Sequence, residues 1–296
     1  MPGGSLAGAG TDAKRNEEEQ GNHTMITTDY VPGSPCWLDL GAPDIEADTA
    51  FYAAVFGWDT EGMEGPDGEV GFVMLKEDGK YVGAIGKLEE RDARSAWMLY
   101  FHTADAEATT RAVERLGGTV RVPPTEIPGE GRMAQYTDPQ GGQFAVFQPG
   151  ADGSSGLQLV DESNSLCWTE LMTPDAAGAR AFYGELFGWS FSDMPMPGGQ
   201  EGTYTMLTPA GQPEERMHGG LMELPAEALE LTGGRAYWHP VFAVEDVDAA
   251  LGRAREKGGT VQMGPEDAEG VGRLAVVVDG SGADFVLLKP EPMPAR

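Results

Sequence analysis

Four titratable residues lie within short apolar strands of alternating pattern: Asp39 in CWLDL, Glu170 in CWTEL, His102 in WMLYFH and His239 in WHPVF. A histidine and a carboxylate facing one cavity could perform general acid–base chemistry, because imidazole changes charge near neutral pH and a carboxylate can orient it. The plainer alternative for each is a hydrogen-bonded polar group at a rim or in a core. The other histidines, His23 and His218, have no supporting neighbours. Cys36 and Cys167 each precede a strand tryptophan and read as small buried hydrophobes. Two cysteines are too few for a disulfide framework. GEGR at 129–132 and GVGR at 270–273 lack the strand–loop–helix setting and the Lys-Ser/Thr of a phosphate cradle, so they read as hairpin turns.

The elements that must position these residues occur twice. PCWLDLGAPD at 35–44 returns as LCWTELMTPD at 166–175, and FYAAVFGW at 51–58 returns as FYGELFGW at 182–189, both at an offset of 131. Farther along, GGTV at 117–120 and 258–261, Gly131-Arg132 and Gly272-Arg273, and Asp138 and Asp279 are offset by 141. The second copy therefore carries ten extra residues between its two helices. A unit of about 120 residues has been duplicated in tandem, which is far longer than a solenoid repeat.

Each copy reads the same way. An alternating strand runs into a turn, then into a helix over about 45–57 whose stripe is Phe51, Val55 and Phe56, closed by Gly57. EVGFVMLKEDG and KYVGAIGKL follow as strands around an Asp-Gly turn. WMLYFHTAD opens a second strand–helix unit that ends in three strands. The expected fold is α+β, built from four βαβββ modules. The expected divisions are a disordered, Gly-rich tail at 1–29, a first domain at 30–149, a Gly/Ser-rich linker at 150–164 and a second domain at 165–291. Met25, directly after the tail, could be the start of translation. The segment MPMPGGQEGTYTMLTPAGQPEERMHGG, longer than its counterpart in the first copy, is a candidate flexible lip, with ordinary loop variation as the plainer account.

Hydrophobic residues at 40% argue for a globular chain, and the apolar runs fall short of a membrane span. No export signal is legible, so the cytoplasm is the expected location. A net charge of −28 argues against nucleic acid and anionic lipid and favours cationic solutes.

Taken together, CW-strand, FYxxxFGW, strand-AD-helix-LGG and DPxG-strand-QP resemble the glyoxalase/bleomycin-resistance/dioxygenase, or vicinal-oxygen-chelate (VOC), superfamily, in the tandem form of an actinobacterial-type "hydroxylase" or glyoxalase-like subgroup. The resemblance spans roughly 33–149 and 165–290. It implies paired modules curled into a cup, with metal ligands in some members on the first, fourth, fifth and eighth strands. Carried over, the first-strand position falls on Trp37 and Trp168, the fifth on Met98 and His239, and the last on Ala145 and Val286. An indole is a hydrogen-bond donor only and cannot ligate. The fourth-strand position cannot be aligned from sequence.

The resemblance implies, in place of a chelating centre, an apolar cup with no metal and no other cofactor. Trp37, Met98, Tyr100, Ala145 and Phe147 would line one cup, and Trp168, His239, Val241, Val286 and Leu288 the other. The expected ligand is an aromatic small molecule, an amine-bearing one being favoured by the negative charge, sequestered as an antibiotic or held in secondary metabolism, with an oxygenase of the same pathway as a candidate partner. The alternative is a lyase, isomerase or oxygenase working through Asp39, His102, Glu170 or His239. The copies are expected to pack as an internal pseudo-dimer or as a homodimer.

Overall fold

The computed structural model describes residues 25–291 except 65–67, 69, 89, 91, 92, 152–155 and 197–201; the first part of the expected tail, 1–24, lies outside the described residues. The first copy contains β1 (Pro35–Ala42), α1 (Ile45–Phe56), β2 (Asp59–Glu64), β3 (Val70–Glu77), β4 (Lys80–Lys87), β5 (Ala96–His102), α2 (Ala106–Arg115), β6 (Thr119–Ile127), β7 (Gly131–Thr137) and β8 (Gln143–Pro149). The second contains β9 (Leu166–Thr173), α3 (Ala176–Phe187), β10 (Ser190–Pro195), β11 (Thr203–Thr208), β12 (Gly219–Glu223), β13 (Tyr237–Ala243), α4 (Val247–Glu256), β14 (Thr260–Ala268), β15 (Gly272–Val278) and β16 (Asp284–Pro290).

Each copy forms one eight-stranded sheet, in the orders β2-β3-β4-β1-β5-β8-β7-β6 and β10-β11-β12-β9-β13-β16-β15-β14. The first strand of each βαβββ module pairs parallel with its last, and the two modules meet through an antiparallel pair, β1–β5 or β9–β13. The α+β fold with four such modules is therefore present. One local rule starts all four helices. Asp44, Asp105, Asp175 and Asp246 each accept a hydrogen bond from the backbone N–H three residues on, at 2.9–3.1 Å. Gly57 and Gly188 end α1 and α3 in the left-handed region, at φ 84° and 71°.

The FYxxxFGW helices do more than fill their own core. Tyr52 donates to Asp279 of the other copy at 2.9 Å and accepts from Trp97. Tyr183 donates to Asp138 at 2.8 Å and accepts from Trp238, so the same bond runs in both directions. The cap tryptophans extend this exchange. Trp58 donates to the carbonyl of Asn164 at 2.8 Å, and Trp189 to the carbonyl of Gly33 at 2.9 Å. Phe56 with Phe242 and Phe285, and Phe187 with Phe101 and Phe144, are among the aromatic contacts between copies.

The bounds of the expected tail need correction, and the candidate lip is largely ordered. Residues 25–29 are not part of a disordered tail: Ile26 is buried, and the backbone N–H of Met25 donates to Asp161. The apolar Ile26 side chain supplies that anchor. The described part of the expected lip is mostly ordered as the end of β10, β11 and a short 3₁₀ turn at Glu214–Arg216, because TYTML alternates as a strand. The described end of the linker, 156–164, also packs, with Leu157 and Val160 buried.

Candidate functional site

On each sheet the alternate residues that do not join the main core form a separate apolar cluster. In the first copy this contains Cys36, Tyr100, Ala145 and Phe147, with Trp37, Met98, Met133 and Tyr30 partly buried against it. In the second it contains Cys167, Val241, Ala243 and Val286, with Trp168, Leu274, Val276 and Leu288. The residues assigned from sequence to each cup are therefore neighbours in space.

Cross-strand register sorts them into rows. In the second copy one row runs Trp168–Val241–Val286–Val276 across β9, β13, β16 and β15. The next runs Gly220–Glu170–His239 across β12, β9 and β13, and Asp284 continues it on β16. The matching rows of the first copy are Trp37–Tyr100–Ala145–Gln135 and Ala84–Asp39–Met98.

In the second copy the polar row is a continuous relay. Nε1 of Trp168 donates to the Tyr204 hydroxyl at 2.8 Å, which donates to Oε1 of Glu170 at 2.7 Å. Oε2 of Glu170 lies 2.9 Å from Nε2 of His239, and Nδ1 of His239 lies 3.0 Å from Oδ2 of Asp284. Arg94, from the loop before β5 of the first copy, pairs with Oδ1 of Asp284 and donates from Nε to the carbonyl of Gly282 at 2.8 Å. Tyr204 reaches Glu170 from β11 because Gly220 leaves a gap. A Cβ on Gly220 would stand 2.0 Å from the Tyr204 ring and hydroxyl.

The electrostatics follow from these contacts. Burial alone would depress the imidazole of His239, but hydrogen bonds to Asp284 and Glu170 and their charges raise it to about 9. The ring is thus an imidazolium with both N–H groups donated to carboxylates. Burial would raise Glu170, yet the bond and charge of His239 and the phenol of Tyr204 hold it below the usual carboxylate range. Asp284 is likewise held low, against burial, by His239 and Arg94. His239 shows 3% of its side chain and Glu170 18%, so Glu170 is the relay member that reaches the cup.

The first copy lacks this relay. Burial raises Asp39 to about 6, opposed by the hydrogen bond that Tyr100 donates at 2.8 Å. Met98 stands where His239 does in the second copy. By parity His102 and Asp39 face one cup, but the two are far apart in register. Asp39 pairs with Met98, whereas His102 lies beside Phe147 and stacks on Tyr30. Burial lowers His102, and its Nδ1 has no hydrogen-bond partner among the described residues. His218 is buried against Trp189 and Phe101 and faces neither carboxylate.

The metal of the chelating relatives does not fit these donors. His239 has no free lone pair, because its two nitrogens point at carboxylates on opposite sides of the ring. Ala84 and Gly220 stand on the fourth strands beside Asp39 and Glu170 and offer no ligand. Among the described residues no three His, Cys, Asp or Glu side chains could hold one ion.

Sequence reasoning missed Asp284, Tyr204 and Arg94. Asp284 was within reach, since it precedes Val286 by two on one strand and shares its face. Tyr204 falls in the segment that composition reads as a lip. Arg94 crosses between copies and carries no local signal.

Comparisons with known proteins agree with this architecture. Residues 165–287 match the Glyoxalase/Bleomycin resistance protein/Dioxygenase superfamily, and residues 37–147 match the Glyoxalase-like domain. The chain is 33% identical over 278 residues to the anthracycline biosynthesis protein DnrV of Streptomyces peucetius, covering 88% of this chain and 95% of that one. Its fold is similar to the 2,3-dioxygenase LapB from Pseudomonas sp. KL28, with TM-score 0.58 and 16% identity over 90% of this chain and 95% of that one. It is also similar to the Mn(II)-bound glyoxalase from Novosphingobium aromaticivorans, with TM-score 0.55 and 18% identity over 90% and 87% of the two chains. The chain therefore belongs to the glyoxalase/bleomycin resistance/dioxygenase superfamily, as a tandem of two such domains in one polypeptide.

Proposed function

We propose that the chain binds a planar aromatic small molecule in the second cup, against Trp168 and with Glu170 as its polar anchor, without metal and without altering it. The observation that carries this reading is the engagement of both ring nitrogens of His239 by carboxylates. A general base works best with a pKa near the working pH and a free lone pair. Glu170 is held too low for that role, and His239 has no lone pair to offer. An ionised carboxylate beside a partly exposed indole and an apolar wall is suited instead to recognition, accepting hydrogen bonds from hydroxyl or amine groups of a flat ligand. The similarity to an anthracycline biosynthesis protein supports a setting in secondary metabolism, as a sequestering or accessory protein.

A lyase or isomerase remains the second reading, favoured by the relay itself, which could cycle if a ligand drew Glu170 away from His239. Equilibrium dialysis of the full chain with a commercial anthracycline and with 9-aminoacridine separates the two. Stoichiometric retention, with the compound recovered at unchanged mass, is expected. Recovery of a converted product, abolished by Glu170→Gln, would replace binding with catalysis.

A further inference from the structure

Arg94 and its counterpart Arg235, 141 residues on, come from matching loops, yet they do different things. Arg235 lies over Gly141, where a Cβ would stand 2.9 Å from its own, and donates from Nε to the carbonyl of Thr232. Its way to a carboxylate is closed, because the residue matching Asp284 is Gln143, which accepts from Arg121 instead. Arg94 alone of the two crosses to an acid of the other copy. It does so with a bidentate hold, on the Asp284 carboxylate and on the carbonyl of Gly282.

We infer that Arg94, a residue of the first copy, is a positioning residue for the second cup: it pins Asp284 against Nδ1 of His239 and balances the charge of the relay, so that Glu170 is the carboxylate presented to a ligand. Charge counting supports this. Glu170 and Asp284 contribute two negative charges, and His239 and Arg94 two positive ones. The other groups near the ring are the phenols of Tyr237, whose ring meets it edge-on at 5.6 Å, and Tyr204, behind Glu170; both are neutral. Without the guanidinium a buried negative charge would be left over, and such a charge is costly unless it is neutralised. Asp284 then takes up its proton at a higher pH than in the parent, which releases one side of the imidazole in acid. At higher pH the ionised Asp284 holds the imidazolium with no guanidinium opposing it. The inference concerns the relay and does not depend on what the cup binds.

The test is carbon and nitrogen NMR of the full chain labelled at aspartate carboxyls and histidine rings, titrated with pH in the parent, Arg94→Gln and Arg94→Lys. In Arg94→Gln the Asp284 midpoint is expected to rise by at least one pH unit and that of His239 to rise with it, while His102 and His218 keep their parental signals. Arg94→Lys, which retains the charge, is expected to shift Asp284 by less than half as much. Parental midpoints in folded Arg94→Gln, or equal shifts in the two variants, would overturn the proposal. Should Arg94→Gln fail to fold, a folded Arg94→Lys supports the charge-balancing role, and failure of both to fold makes Arg94 a packing residue and also overturns it.

Discussion

Two buried histidines give the protein opposite pH dependences. His218 lies 4.8 Å from the Trp189 ring with Nε2 unpartnered among the described residues, and burial lowers its pKa to about 3. A folded-state value below the unfolded 6.5 means that the unfolded chain binds the extra proton. Its contribution is present above pH 6.5 and lost as pH falls toward 3, to the extent of roughly 5 kcal/mol at most. His239 has the reverse sign. Raised to about 9, it contributes stability that is full below pH 6.5 and lost as pH rises through 9. Urea unfolding from pH 4 to 10 should therefore show Gln at 218 flattening the acid limb and Gln at 239 flattening the alkaline one. An acid limb of unchanged slope in His218→Gln would mean that its ring is hydrated in the folded chain.

The strands carry the asymmetry between the cups. Tyr204 on β11 bridges Trp168 and Glu170 only because β12 has Gly220 where β4 has Ala84 beside Asp39. Gly220→Ala should cost about 1–3 kcal/mol in urea, since the new methyl overlaps a ring fixed at both ends. Tyr204→Phe leaves the indole N–H and Oε1 unpaired at similar cost, about 1–3 kcal/mol. If Gly220→Ala unfolds at the parental midpoint, Tyr204 is free to swing out and does not brace the cup. Much at this scale was legible in the sequence. Period-two alternation marked the strands, and Gly57 marked a helix end. The apolar walls followed from the family resemblance carried onto these strands. The relay was only half legible, because Glu170 and His239 meet through cross-strand register, which a single strand does not encode. His102 and Asp39 both face the cup by parity, but they lie on different rows.

At the scale of the whole molecule, Tyr52–Asp279 and Tyr183–Asp138 bury one phenol–carboxylate bond in each direction between the copies. Neither copy completes its aromatic core alone, so calorimetry of the full chain should give one cooperative transition. Tyr52→Phe and Tyr183→Phe should each lower stability by about 1–2 kcal/mol. Two separated transitions would make the copies independent domains. The net charge of −28 acts at the same scale, and added salt should weaken a cationic ligand more than a neutral one of equal shape. The central claim, that a flat ligand lies against Trp168, is tested most directly by quenching of intrinsic fluorescence during titration with an anthracycline. The parent should saturate, and folded Trp168→Ala should bind more weakly by roughly 1–3 kcal/mol, about fivefold to 150-fold. Parental affinity in folded Trp168→Ala, or the absence of any saturable quenching in the parent by anthracycline and 9-aminoacridine alike, would contradict it.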